Sequence, residues 1–217
     1  MNISTYFPIY NELTKEEQRL IDISAFERTV PKGTIVHNGD TECLGLTIVA
    51  DGQLRAYKSS DDGREITLFR LLEYDVCLFS NSCTMQSFRA DVTLSAEKDT
   101  TLIIIPAHTY EQLAATSLSL VTYASEIMAA HFTDVMWLLE QIMWNSFDKR
   151  LATFLLDEIS LEGTETLKIT HETIANHLGT AREVVTRMLK YFQNEGYVAL
   201  TRGTIDVVDV DGLESII

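Results

Sequence analysis

Residues 170–208 read THETIANHLGTAREVVTRMLKYFQNEGYVALTRGTIDVV, and this stretch decides how the C-terminal part of the chain folds. Apolar residues recur at helical spacing from His171 to Leu178 and again from about Ala181 to Asn194. Gly179 lies between the two segments, where a glycine readily takes the left-handed conformation that ends a helix. Ala175 is small, as required where two helices cross closely. The spacing therefore predicts a helix-turn-helix.

A hairpin is predicted directly after the second helix. Residues 197–200 (YVAL) and 204–208 (TIDVV) are rich in β-branched and apolar types, and Thr201-Arg202-Gly203 separates them. A glycine in so short a connection is typical of a tight turn between antiparallel strands. We therefore predict a wing beside the helix-turn-helix, with Arg202 in its turn.

The second helix has a polar face that suits the edges of DNA bases. Arg182 and Glu183 lie at its N-terminal end, and Arg187 follows on the side away from the apolar positions. The N-terminal end of a recognition helix reaches base edges in the major groove. Arginine can donate two hydrogen bonds to guanine, and glutamate can accept one from cytosine. Because a glutamate is unfavourable beside phosphates, its place between two arginines favours base reading over contact with the DNA backbone.

Two purely structural explanations of this face stay open. Thr180 and Glu183 have the spacing of a capping box, so Glu183 could serve only to cap the helix. A face of arginine and glutamate could also be simply solvated. The wing, the glycine between the helices and the R-E-x-x-x-R pattern together favour DNA binding over both.

The N-terminal half of the chain has the pattern of short strands. From about Phe26 to Ile105, segments rich in Val, Ile, Leu and Thr alternate with turn signals such as Pro31-Lys32-Gly33 and Asp61-Asp62-Gly63. Strands at this spacing predict a small barrel or sandwich. Ahead of them, Thr14 and Glu17 have capping-box spacing and predict the start of a short helix.

A long helical segment without Pro or Gly extends from Ala107 to Leu161. An apolar seam follows it, long enough to pair with a second copy of the chain, although a helix lying on its own domain is the alternative. A break is expected at residues 145–148, with Ser146 as the N-cap of a helix from Lys149 to Ile159. The seam consists of Met128, Phe132, Val135, Leu138, Leu139 and Ile142.

Composition and charge limit the class of protein. The chain has 217 residues, of which 46% are hydrophobic and 23% charged, as is ordinary for a soluble globular protein. Three cysteines, an odd and low number, argue against a secreted disulfide scaffold. With no signal sequence or membrane span expected, we predict a cytoplasmic protein without a membrane partner. The net charge of −15 argues against nucleic acid, yet residues 168–202 carry five basic and three acidic groups.

The chain resembles the Crp/Fnr family of bacterial transcriptional regulators along nearly its whole length. Residues 182–187 (REVVTR) match the family's R-E-x-[VT]-x-R recognition helix, and residues 150–156 (RLATFLL) are similar to the R-L-A-x-x-L-L pattern that begins its DNA-binding domain. Residues 31–34 (PKGT) and 62–66 (DGREI) fall in the order of its β-roll turns. Ala181 departs from the pattern, since relatives often have a Ser or Thr cap there, and we expect Thr180 to cap the helix instead.

The resemblance implies an α+β fold with three parts. These are an N-terminal β-roll (jelly-roll-like) sensor domain over residues 1–108, a helical segment with the dimerisation helix over 109–145, and a winged helix-turn-helix domain over 146–217. It also implies a homodimer that reads TGTGA-like half-sites of an inverted repeat in double-stranded DNA, with RNA polymerase as a further partner. By this match Arg182 and Arg187 read guanine and Glu183 reads cytosine. The phosphate contacts that it implies are Thr170, Thr180, Lys190 and Arg202.

The effector of the predicted sensor domain is not identified by the sequence. Cyclic-AMP binders of the family carry a Gly-Glu pair and, some ten residues on, an arginine for the phosphate, but residues 73–83 contain no Gly-Glu. Asp91 falls near the arginine position, where a carboxylate would repel a phosphate, although a register shift would bring Arg89 there. Cyclic AMP is therefore not expected. Cys77 and Cys83 occupy this region either as a thiol sensor or as small buried apolar residues.

Metal-based sensing is not expected either. The first cysteine is Cys43, so the N-terminal cysteine cluster of an iron–sulfur sensor is missing, and no C-x-x-C spacing for zinc occurs. The five histidines form no paired motif, which leaves haem on a single histidine open. We predict no enzymatic activity. Two other classes remain as alternatives: a metal oxygenase on the β-roll, which lacks a His/Glu cluster, and a ligand-binding module whose C-terminal domain contacts protein, which the net charge favours.

Overall fold

Helices and antiparallel sheets both contribute to the fold, which confirms the predicted α+β class. The structure is a computed structural model and describes residues 3–38, 44–78 and 92–217. The chain divides into two units, one of Met1–Lys58 and Leu68–Val135 and the other of Ser59–Thr67 and Met136–Ile217. The domain boundaries after residues 108 and 145 stay a prediction.

The first unit holds most of the N-terminal strands and helices. Two 3₁₀ turns, Ile3–Thr5 and Tyr10–Glu12, precede its first helix. Its helices are α1 (Lys15–Ser24), α2 (Ala107–Ala114) and most of α3 (Leu118–Trp144). Its strands are β1 (Phe26–Val30), β2 (Ile35–Asn38), β3 (Leu46–Asp51), β4 (Leu54–Ser59), part of β5 (Glu65–Leu71), β6 (Val76–Cys77), β7 (Thr93–Ala96) and β8 (Thr100–Ile105).

Two four-stranded sheets, ordered β1-β8-β3-β6 and β2-β7-β4-β5, form the predicted β-roll. The apolar run in β8 explains how they are held. Successive side chains of a strand point to opposite faces, so Leu102 and Ile104 enter a core shared by both sheets. Ile103 and Ile105 enter a second core, between the first sheet and the helices. A strand buried on both faces needs this continuous apolar sequence.

Thr14 caps α1 as predicted. Its hydroxyl accepts a hydrogen bond from the Glu17 N–H at 3.3 Å, and the Glu17 carboxylate accepts one from the Thr14 N–H at 2.7 Å. The capping box therefore satisfies two backbone donors that the helix itself leaves without partners.

The segment predicted as one helix from Ala107 is interrupted near its start. α2 ends at Ala114, and α3 begins at Leu118 with a bend of 113° between them. The Ser117 hydroxyl accepts a hydrogen bond from the Leu120 N–H, an alternative to the helical backbone ladder. The bend also lets both helices bury apolar side chains in one core. Among the described helices no single one is long and apolar enough to cross a membrane, although α2 and α3 together reach that length and hydropathy.

The second unit contains the predicted winged helix-turn-helix. Its strands form one antiparallel sheet in the order β10-β11-β9. The side chains of Leu151, Ala175 and Leu189 are among those that join helices and sheet in a single apolar core. The elements are α4 (Phe147–Glu162), β9 (Thr166–Leu167), α5 (His171–Leu178), α6 (Arg182–Glu195), β10 (Val198–Thr201), β11 (Thr204–Val207) and α7 (Val210–Glu214).

Of two predicted helix caps, one is partly right and the other is wrong. Ser146 occupies the N-cap position of α4, but its side chain makes no capping hydrogen bond there. Thr180 does not cap α6, because the helix starts at Arg182 and its N-cap is Ala181. Alanine has no side-chain oxygen to accept from the first-turn amides, so α6 has no side-chain cap and Glu183 forms no capping box with Thr180.

Acidification is expected to destabilise the β-roll through His37. Its side chain is buried, and burial lowers the pKa of His37 below the ordinary 6.5. The unfolded chain then binds the proton more readily than the folded chain, so stability falls as the pH drops through 6.5. Between pH 7.5 and 5.5 the free energy of unfolding falls by up to about 1.4 kcal/mol through this group. Denaturant unfolding at both pH values measures this loss of stability. The variant His37→Gln should show a smaller difference in the free energy of unfolding between the two pH values. An equal difference in the variant and the wild type would contradict the prediction.

Candidate DNA-binding interface

α6 has one apolar and one polar side. Val185, Leu189 and Phe192 are fully buried at helical spacing in the core of the second unit. The opposite side faces outward and forms a shallow concavity, which we call the recognition surface. The residues that line it are Arg182, Glu183, Thr186, Arg187 and Lys190.

The recognition surface is positive although the chain is strongly acidic. Three cations and one carboxylate line it, a net charge of +2, in a chain of net charge −15. These four charged side chains are exposed, whereas Thr186 is half-buried. Attraction to phosphates depends on the local patch rather than on the total charge. The net charge therefore does not count against DNA at this surface.

The turn between α5 and α6 has the predicted left-handed glycine. Gly179 has a φ of +67° and follows the last residue of α5. The guanidinium of Arg150 donates a hydrogen bond to the carbonyl oxygen of Leu178. The arginine of the R-L-A pattern thus satisfies a carbonyl at the C-terminal end of α5, where a cation is favourable. The contact ties α4 to the turn that orients α6.

Thr170 begins α5. Its hydroxyl oxygen accepts a hydrogen bond from the Thr173 N–H at 3.0 Å, which makes it the N-cap. The residue remains exposed. Its role as a phosphate contact stays a prediction, as does that of Thr180, which is half-buried in the turn.

The predicted wing is present, and its turn has two residues, because Thr201 belongs to β10. β10 and β11 pair so that Thr201 lies opposite Thr204, which leaves Arg202 and Gly203 as the connection. Gly203 has a φ of +77°, a conformation that suits glycine in a tight hairpin. Arg202 is exposed at this turn, free of the core of the second unit.

The predicted dimer seam leaves large apolar side chains exposed on α3. Phe132 is 66% exposed, Leu139 45% and Ile142 44%. Val135 is 37% exposed, while Met128 and Leu138 are half-buried. A contiguous apolar strip of this size on one helix is typical of a surface that another protein covers.

Of the predicted effector residues, the structure describes Cys77. This residue is 2% exposed and packs in the core between the two sheets. Such burial favours a structural over a reactive cysteine. Cys83 and Arg89 lie outside the described residues. Among those that are described, no group of three or more His, Cys, Asp or Glu side chains is arranged to hold a metal ion.

Two contacts of α5 were not predicted. The Thr67 hydroxyl lies 2.8 Å from Nδ1 of His177, a residue 110 positions away that ends α5 with Leu178. His171 Nδ1 lies 2.8 Å from the Thr186 hydroxyl, which joins α5 to the polar side of α6. Local periodicity carries no signal for either pair, because the partners are distant in sequence.

Comparison with known families agrees with this architecture. Residues 149–216 match the Crp-like helix-turn-helix domain, and residues 27–117 match the cyclic nucleotide-binding domain. A crystal structure described as a transcriptional regulator of the Crp/Fnr family from Eubacterium rectale is 55% identical. The alignment covers 98% of each chain with a TM-score of 0.95. This chain belongs to the Crp/Fnr family of transcriptional regulators.

Two further relatives match along nearly the whole chain. The transcriptional regulator flp of Lacticaseibacillus casei is 26% identical over 95% of this chain and 94% of its own. The cyclic AMP receptor protein of Thermus thermophilus is 29% identical over 96% of both. The family is one of transcriptional regulators, and the helix-turn-helix makes this Crp/Fnr-type protein a DNA-binding one.

Proposed function

We propose that this Crp/Fnr regulator binds an inverted-repeat operator as a homodimer through the recognition surface. The observation that carries the proposal is the polar side of α6, where exposed cations flank Glu183 at the N-terminal end of a helix whose other side is buried. This is the end of a recognition helix that reaches base edges. Arg182 and Arg187 read guanine, and Glu183 accepts from cytosine.

The exposed strip on α3 supports the dimer. Phe132, Val135, Leu139 and Ile142 would be buried by the same residues of a second copy, as a twofold axis requires. Two recognition helices then meet half-sites about 10 bp apart. Thr170, Thr180, Lys190 and Arg202 contact phosphates beside them. The division into a β-roll over residues 1–108, a helical segment over 109–145 and a DNA-binding domain over 146–217 belongs to the same proposal.

Control comes from an effector or redox change in the β-roll, which biases two pre-existing states of the dimer. The chemical identity of this effector is not assigned, and cyclic AMP is not proposed. The resemblance to the family adds RNA polymerase as a partner of the operator-bound dimer, and a cytoplasmic location fits this role.

Selection of duplexes from a random pool, with reduced protein and no added ligand, tests the operator. Enrichment of an inverted repeat with G and C in each half-site is expected. Binding to the enriched duplex should also weaken steeply with salt, since each neutralised phosphate releases counterions. Salt-insensitive association, or no enrichment with reduced protein, oxidised protein or added cyclic nucleotides, would contradict the proposal.

Glu183→Ala is expected to relax specificity at one base pair of each half-site. Loss of the carboxylate removes a contact worth about 1–3 kcal/mol of discrimination, so preference for the C·G pair should fall about tenfold. Affinity for random duplex should rise, because the variant has one negative charge fewer to repel the DNA phosphates. Repeating the selection with the variant measures both effects. Glu195→Ala, an exposed change at the other end of α6, is the matched control, and equal specificity profiles of the two variants would contradict the assignment.

A further inference from the structure

We propose that His171 joins α5 to the recognition surface through Thr186 and makes DNA affinity depend on proton uptake at its second ring nitrogen. The inference rests on the proposed function, because it requires DNA phosphates beside the recognition surface. It adds a positioning residue that also responds to pH.

A chain of two hydrogen bonds links His171 to the residue that starts α6. The Thr186 hydroxyl donates to the backbone carbonyl of Arg182 at 2.9 Å. The same hydroxyl oxygen lies 2.8 Å from Nδ1 of His171. Thr186 also lines the recognition surface, one turn after Arg182. His171 therefore supports the polar side of α6 from the neighbouring helix.

The hydroxyl of Thr186 determines which ring nitrogen of His171 carries the proton. A hydroxyl has a single hydrogen to donate, and here it is directed to the Arg182 carbonyl. We assign to its oxygen the acceptor role toward His171, so that Nδ1 carries the proton of the neutral ring. Nε2 is left as the basic nitrogen.

Protonation of Nε2 keeps this support and adds a donor. Nδ1 carries a proton in both the neutral and the charged ring, so the hydrogen bond to Thr186 persists. The charged ring gains an Nε2–H and a positive charge next to the recognition surface. A phosphate at that place would accept from Nε2, whereas the neutral ring has only a lone pair to present.

The surroundings favour the neutral form of the ring in the free protein. Burial first, and the positive charge of Arg182 second, lower the pKa of His171 below its ordinary 6.5. The other charged groups on the two helices and beside them are Glu172, the next residue of α5, Lys168, three residues earlier, and Glu183, Arg187 and Lys190, which line the recognition surface with Thr186. Most of them are cations, so DNA phosphates would offset the repulsion that disfavours the protonated ring.

Bound DNA should therefore raise the pKa of His171, and binding takes up a proton. Between the free and the bound pKa values, affinity rises as the pH falls, by at most tenfold per pH unit for each half-site. Between pH 8 and pH 6 we expect His171 to raise the operator affinity about tenfold for each half-site.

The test compares wild type with His171→Asn on the selected operator between pH 6 and pH 8, at constant ionic strength. The asparagine amide nitrogen occupies the place of Nδ1 and still donates to Thr186, but it does not titrate. At pH 8 the affinity of the variant for the operator should be within about threefold of the wild-type affinity. At pH 6 the variant should lack the increase in affinity that wild type shows. Thr186→Val, which removes the hydroxyl, should weaken binding at both pH values.

Nitrogen-15 NMR of the imidazole rings gives a readout independent of affinity. Free protein should show Nδ1–H in the neutral ring of His171, and a pKa that rises when the operator is added. Equal pH profiles of wild type and His171→Asn, an Nε2–H tautomer, or an unchanged pKa in the complex would overturn this inference alone. Failure of wild type to bind any duplex would overturn the proposed function as well.

Discussion

Arg182→Glu is expected to reduce operator affinity by about a hundredfold or more. Arg182 is exposed at the first position of α6, so its replacement leaves the core of the second unit intact. The change removes a base contact worth about 1–3 kcal/mol from each half-site, and the dimer has two. It also places a second carboxylate beside Glu183, against the phosphates. Fluorescence anisotropy with the selected duplex measures the loss.

The control for this experiment is Arg19→Glu. Arg19 is exposed on α1 in the first unit, and its replacement changes the net charge of the chain by the same amount. This variant should keep most of the operator affinity, since only its long-range field changes. Both variants should remain dimeric and unfold at a similar temperature. If Arg182→Glu bound the operator specifically with wild-type affinity, the assignment of α6 to the DNA interface would be wrong.

Leu139→Asp is expected to convert the dimer into monomers. Leu139 lies one turn after Val135 and on the same side of α3 as Ile142, within the exposed strip. In a twofold interface the change acts twice, each time removing a leucine worth about 1.5–3 kcal/mol and burying a charge. The dimer dissociation constant should rise about a thousandfold or more. Sedimentation over a range of concentrations measures it.

Thr133→Asp is the control that distinguishes loss of the dimer interface from a general effect of an added charge on α3. Thr133 is exposed and lies about 120° around the helix from Leu139, outside the apolar strip, by the 100° step between residues. This control should remain a dimer and bind the inverted repeat. Leu139→Asp should also lose that binding, since a monomer contacts one half-site only. A dimeric Leu139→Asp protein with full operator affinity would show that the strip on α3 is not the dimer seam.

Local patterns predicted the elements of the second unit closely. α5 has the predicted bounds, His171–Leu178, because an N-cap threonine and a left-handed glycine delimit it. The wing followed from two short strands around Arg202-Gly203. In the first unit the capping box of Thr14 and Glu17 marked the start of α1. In each case the interactions that set the element lie within a few residues of one another.

The errors arose where tertiary packing competes with local preference. The pattern of α2 and α3 has no Pro or Gly, yet the chain bends by 113° between them so that both helices reach one core. Thr180 has the spacing of a cap, but it lies in the turn between the two helices, and α6 starts at Arg182 with Ala181 as its N-cap. Periodicity describes one element at a time and does not register such constraints.

By itself the sequence determined the order of most elements and the apolar and polar sides of α6, because these follow from chain-local periodicity, capping and turn chemistry, and its resemblance to the Crp/Fnr family implied the fold class. Only the tertiary structure decided that the side chain of His171 contacts that of Thr186, and that the side chain of Thr67 contacts that of His177. Those partners are 15 and 110 residues apart, and their contact depends on how whole helices and strands pack. A hydrogen bond needs its two atoms within about 3 Å, and only the assembled fold brings distant residues that close.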